Sequence, residues 1–185
     1  MIVLLVFSSI AVYAQEEEPF SLGSLQAKPG ELVTGELIVD EGIDEGTFIP
    51  ITIIHGMNPG PVLTLTAGIH GTEYVPVIAL LEIMKKVDPK ELSGTLIMVN
   101  VANIPAFLNR SVYLSAIDQK NLNRIFPGKE DGTVSERIAF TLFNEVILKS
   151  DYYIDLHGGE FNERLVDFLY FFYWRKPCSG RIVYF

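Results

Sequence analysis

The sequence predicts an α/β domain: a mixed, largely parallel sheet flanked by helices. Three observations carry this reading. Residues 62–67 and 94–100 are short, largely apolar runs, as in strands covered on both faces, and 151–156 reads as a third such strand run. Residues 75–87 between them place Val77, Leu80, Ile83 and Met84 at helical spacing. A second helical stretch opens at Thr133 and precedes the third run. Strand, helix, strand, loop, helix, strand is the order of a sheet with crossover helices.

Each element has a local cause. From Glu31 the residues alternate, with Leu32, Thr34 and Glu36 set against Val33, Gly35 and Leu37, which reads as a half-exposed strand. Residues 47–54 are rich in β-branched side chains and bounded by turn formers. Asn58-Pro59-Gly60-Pro61 predicts a turn before the first buried strand. The helix over 75–87 ends in Lys85-Lys86, where cations favour the carbonyl end of the helix dipole. Thr133 with Glu136 fits a capping box and predicts a helix to about Lys149. Residues 103–132 form a loop region long enough to suggest a functional role.

Composition narrows the classes. Of 185 residues, 49% are apolar and 20% charged, which excludes a disordered chain. The formal net charge of −9 leaves no positive excess to neutralise phosphates, so no nucleic-acid partner is expected. One cysteine, Cys178, permits neither an internal disulfide nor a cysteine-rich metal knuckle. Residues 16–50 hold nine of the acids and a single base, Lys28, so the acidity belongs to that segment and reads as a solvated face.

Residues 1–14 are an apolar run that ends in small residues, with Val12 and Ala14 placed for cleavage. The run falls short of the roughly 20 residues that span a bilayer. It reads as a secretory signal peptide, with 15–30 as the mature leader. That predicts a secreted or periplasmic protein with no stable membrane insertion after cleavage. No basic residue precedes the run, so its n-region is weak, and a buried strand is the alternative.

Candidate chemistry gathers where strands end. His70 and Glu73 are three residues apart at the start of a helix and so face the same way. His157 follows another buried strand. Ligands in open α/β sheets bind beyond the carboxyl ends of strands, and both motifs fall there. Two histidines and one carboxylate suit a catalytic zinc with one position left open. Asp155, on the same strand face as His157, is placed to accept from its imidazole. The third histidine, His55, reads as structural.

Taken together, Gly68-Ile-His-Gly-Thr-Glu73, Asn103-Ile-Pro-Ala-Phe107 with Arg110, Asp118 through Asn121-Leu-Asn-Arg-Ile-Phe-Pro-Gly128, and Asp155-Leu-His-Gly158 resemble the succinylglutamate desuccinylase/aspartoacylase family, within the zinc carboxypeptidase-like group. The resemblance covers roughly residues 30–165. It implies a zinc carboxypeptidase-like fold and one Zn(2+) per chain on His70, Glu73 and His157. It places Asn123 and Arg124 on a substrate carboxylate, and Arg110 at the scissile carbonyl. Arg110 departs from the family pattern, because Val112 rather than arginine precedes Tyr113. The implied reaction is hydrolysis of the amide or ester bond of N-acyl amino acid-like substrates. A secreted carboxypeptidase-like metallopeptidase acting on short peptides, and a zinc-binding non-catalytic remnant, are the competing readings.

The resemblance also implies a glutamate general base well downstream of the third ligand. Only 28 residues follow His157, and Glu160 and Glu163 stand too close to it to match. From about residue 171 the aromatic-rich tail departs from the family pattern. The expectation is therefore that residues 31–185 are the N-terminal part of a catalytic domain, cut short by truncation or a frameshift and lacking the base.

Overall fold

The computed structural model describes residues 18–159. The expected signal peptide, Glu160, Glu163 and the aromatic tail lie outside them.

The segment read as a leader contributes to the core. It forms a two-stranded hairpin of β1 (Phe20–Leu22) and β2 (Leu25–Ala27). Leu22 and Ala27 are fully buried in the main core cluster. The main sheet contains β3 (Glu31–Val39), β4 (Thr47–His55), β5 (Asn58–Thr66), β6 (Ser93–Val99) and β7 (Tyr152–Asp155), in the spatial order β3-β4-β6-β5-β7. The sheet is mixed, as expected. The pairs β3–β4 and β4–β6 are antiparallel, and β6–β5 and β5–β7 are parallel.

Alternation along the strands divides the core between two faces. Ile97 and Val99 point to one side, with Ile49, Ile51, Ile53, Leu122, Ile138 and Leu142. Leu96 and Met98 point to the other, with Ile54, Leu65 and Leu80. The second face is covered by α1 (Tyr74–Lys86), which ends on the two predicted lysines. The first is covered by α3 (Val134–Thr141), continued to Lys149 by one π turn and one 3-10 turn. Its capping box is formed: the Thr133 amide donates to Glu136 Oε2 at 3.0 Å.

The turn expected at 58–61 is instead the start of β5. Asn58 pairs with Ser93, and Val62 pairs with Thr95, so two more residues are used on β5 than on β6. Pro59 and Pro61 have no N–H to donate. The ladder is interrupted there while the chain stays extended. The long loop of 103–132 carries α2 (Ile104–Leu108) and a 3-10 turn at Leu122–Arg124. Asp118 fastens it to the start of α3 by accepting from the Ser135 amide and hydroxyl at 3.0 and 2.8 Å. Among the described residues, no helix is long and apolar enough to cross a membrane.

Not all the acids of residues 16–50 form a solvated face. Asp44 accepts from the Val134 amide at 3.1 Å and pairs with the buried Arg137 at 2.8 Å. Arg137 also donates to the carbonyls of Asp40, Asp44, Glu45 and Gly132. One guanidinium thus satisfies the β3–β4 turn and ties it to α3. Removing one partner of a buried pair strands the other, at a cost of about 3–5 kcal/mol. Arg137→Ala is expected to destabilise the chain by that amount in urea unfolding, with the far-ultraviolet circular dichroism of the folded state unchanged.

Candidate metal centre

β5 and β7 are parallel neighbours, with Thr66 opposite Asp155. Their carboxyl ends therefore lie side by side, and the loops that leave them carry the three candidate ligands. After β5 the chain turns through Gly68, at φ +69°, into His70. Gly71 then presses against the end of α2: its amide donates to Ser111 O at 3.0 Å, and a Cβ there would collide with Ala106 O. Only glycine fits this approach. Asn103 closes the same corner, donating to Ile69 O at 3.2 Å and accepting from the Ala106 amide at 3.1 Å.

His70, Glu73 and His157 converge, each offering one ligand atom, with these atoms all within 4.8 Å of one another. His70 Nδ1 lies 2.9 Å from Glu73 Oε1, and His157 Nδ1 lies 2.9 Å from Glu73 Oε2. The carboxylate therefore bridges the two imidazoles. His70 and Glu73 are only 6% and 5% exposed, so little water screens the cluster. The far nitrogen of each ring also has a partner. His70 Nε2 meets Asn121 Oδ1 at 3.3 Å, and His157 Nε2 meets Asp155 Oδ2 at 2.8 Å. An acceptor at Nε2 holds the ring proton there and turns Nδ1 toward an ion. Tyr113 packs edge-on against His70, with ring centroids 5.2 Å apart.

Two nitrogens and one carboxylate, close-set and braced from behind, match the donor set and spacing of a zinc site with an open position. Asp155 takes the part expected from its two-residue spacing. Asn121 was legible only as part of its motif, since its contact with His70 joins residues 51 apart in sequence. His55 lies apart, buried, with Nδ1 2.8 Å from Thr95 Oγ1.

Among the described residues, no hydrogen bond joins Asn123, Arg124 or Arg110 to the three ligands. Arg124 is exposed and donates to Asn123 O at 2.9 Å, while the Asn123 amide donates to Asn121 Oδ1 at 2.9 Å. The 3-10 turn thus sits one residue from the His70 contact. Arg110 is exposed and borders a neighbouring cleft with Thr72, Tyr74, Phe107 and Leu108.

A family model for the succinylglutamate desuccinylase/aspartoacylase catalytic domain matches residues 59–181. The chain belongs to this family. It is 36% identical over 120 residues to an N-alpha-acetyl-L-2,4-diaminobutyric acid deacetylase of Halomonas elongata, covering 65% of this chain and 34% of that protein. Among solved structures, an aspartoacylase family protein of Mesorhizobium loti aligns with a TM-score of 0.66 at 34% identity, over 76% of this chain and 44% of the other. The product-bound ectoine utilization protein of Ruegeria pomeroyi aligns with a TM-score of 0.66 at 33% identity, over 77% and 44%. The chain thus spans less than half the length of these desuccinylase/aspartoacylase relatives.

Electrostatics ties the cluster together. Burial alone would raise the Glu73 pKa, but the hydrogen bonds and charges of His157 and His70 hold it down at about 2. Burial opposes charge on His157, yet Asp155 and Glu73 outweigh it and push the imidazole up to about 10. A raised histidine stabilises the fold below its unfolded value near 6.5, and loses that contribution as pH climbs through about 10. A depressed glutamate stabilises above 4.5, and loses its contribution as pH falls through about 2. The chelator-treated chain is therefore expected to lose stability in urea as pH rises from 7 to 10. His157→Gln should flatten that limb, and a slope unchanged by the substitution would show that another group sets it.

Proposed function

We propose that His70, Glu73 and His157 hold a single zinc ion, and that the protein hydrolyses the amide bond of small N-acyl amino acids. The convergence of these three side chains at the adjoining ends of β5 and β7 carries the reading. Family membership and the likeness to a deacetylase support the reaction class.

Zinc in this position would polarise a carbonyl and make water a nucleophile near neutral pH. The chain's own residues prepare the place. Asn121 and Asp155 orient the two imidazoles, and burial of Glu73 keeps bulk water from competing for its oxygens. Asn123 and Arg124, on the turn that begins at Asn121, are the groups assigned to the substrate carboxylate. Arginine remains charged and presents a fork that matches a carboxylate. The signal-like residues 1–14 support an exported protein.

The chelator-treated chain is expected to take up one zinc per chain by metal analysis. His70→Ala should weaken binding by at least about 100-fold, since one of three ligands is lost. Asn121→Ala should weaken it by about 10- to 100-fold by releasing the ring it orients. Equal, stoichiometric zinc in His70→Ala and the unaltered chain would overturn the ligand assignment. At pH 8, zinc uptake should release about one proton, as the ion replaces the charge held on His157. Calorimetry in buffers of different ionisation enthalpy measures it. Hydrolysis of N-acetyl amino acids should disappear on chelation and return with zinc.

A further inference from the structure

Next to the metal loop lies a cleft of about 690 Å³, bordered by Thr72, Tyr74, Phe107, Leu108 and Arg110. It is distinct from the cluster of ligands. Thr72 and Tyr74 flank Glu73 and line the cleft, while the Glu73 carboxylate is turned to the two imidazoles. Two features of the cleft have no part in the metal site.

The first is an apolar wall left open. Leu108 is 71% exposed and Tyr74 41%, and Tyr74 meets Phe107 edge-on with centroids 5.4 Å apart. The second is Arg110, which occupies the left-handed region at φ +52°. Residues other than glycine rarely adopt it, and such outliers cluster where a side chain is held for use. Among the described residues its guanidinium has no hydrogen bond or ion pair, so the fork is available.

We propose that this cleft is a binding site for an apolar carboxylate, with the aromatic or branched body against Tyr74, Phe107 and Leu108 and the carboxylate on Arg110. The site needs no metal. Its occupant is a free hydrophobic acid.

The test is a titration of the isotope-labelled 185-residue chain with 3-phenylpropionate, followed by amide resonances. Signals of Thr72, Tyr74, Phe107 and Arg110 should move. The neutral 3-phenylpropan-1-ol should bind about tenfold more weakly, the worth of a charge-assisted hydrogen bond. Arg110→Gln should erase that preference, and Leu108→Glu should weaken both probes while leaving zinc uptake intact. His70→Ala should leave probe binding unchanged, which separates this proposal from the metal assignment. Equal affinity for acid and alcohol, a preference that survives Arg110→Gln, or shifts mapping elsewhere would overturn it. With N-acetyl-L-phenylalanine, shifts confined to the cleft support an independent acid site, and shifts reaching from the cleft to Gly158 would overturn it in favour of a substrate end of the metal site.

Discussion

The burial of Glu73 is the constraint on which the rest of the site depends. A carboxylate with 5% exposure is costly unless charge and hydrogen bonds compensate it. The compensation comes from two imidazoles 87 residues apart in sequence, one on each oxygen. Bringing His70 to Glu73 is local work, one turn at the start of α1. Bringing His157 there is the work of the whole sheet. β7 must lie parallel beside β5, in a register that ends the two strands together. The sheet order, the crossover through α3 and the clamp of Arg137 on the β3–β4 turn serve a geometry that this one acid requires.

The same constraint explains why the cluster suits a cation. Without an ion, positive charge in the site resides as a proton on His157, held there by Glu73 and Asp155 against the opposition of burial. A divalent cation held by the same three side chains would replace that proton, so the proton and the ion would compete for one place. The two braces differ in charge: a neutral carboxamide stands behind His70 and a carboxylate behind His157. Negative charge is therefore greatest on the β7 side.

Much of this was legible because its causes are local. The buried strands, α1 with its terminal lysines and the Thr133–Glu136 cap follow from patterns within a few residues. The meeting of His70, Glu73 and His157 was legible because glycine-flanked histidines at strand ends are rare in a chain with three histidines. What escaped depends on tertiary partners. Asn58-Pro59-Gly60-Pro61 carries every local sign of a turn, yet pairing with β6 holds it extended on either side of the prolines. The hairpin at 20–27 is short and weakly patterned, and it exists because the core has room for Leu22 and Ala27. Asn121 acquires its role only when the long loop folds back onto His70.

The resemblance places Arg110 at the scissile carbonyl, and the structure sets it at the border of the cleft beside the 70–74 loop. Tyr113 takes the place against the His70 ring, and Ser111 takes the Gly71 amide. Arg110, just before them, is carried past the metal loop to the cleft on its flank. In the 70–74 loop Glu73 is turned inward, while Tyr74 is exposed. Two short segments lying against each other thus gather two imidazoles and a carboxylate on one side and border the cleft with Arg110, Tyr74 and Phe107.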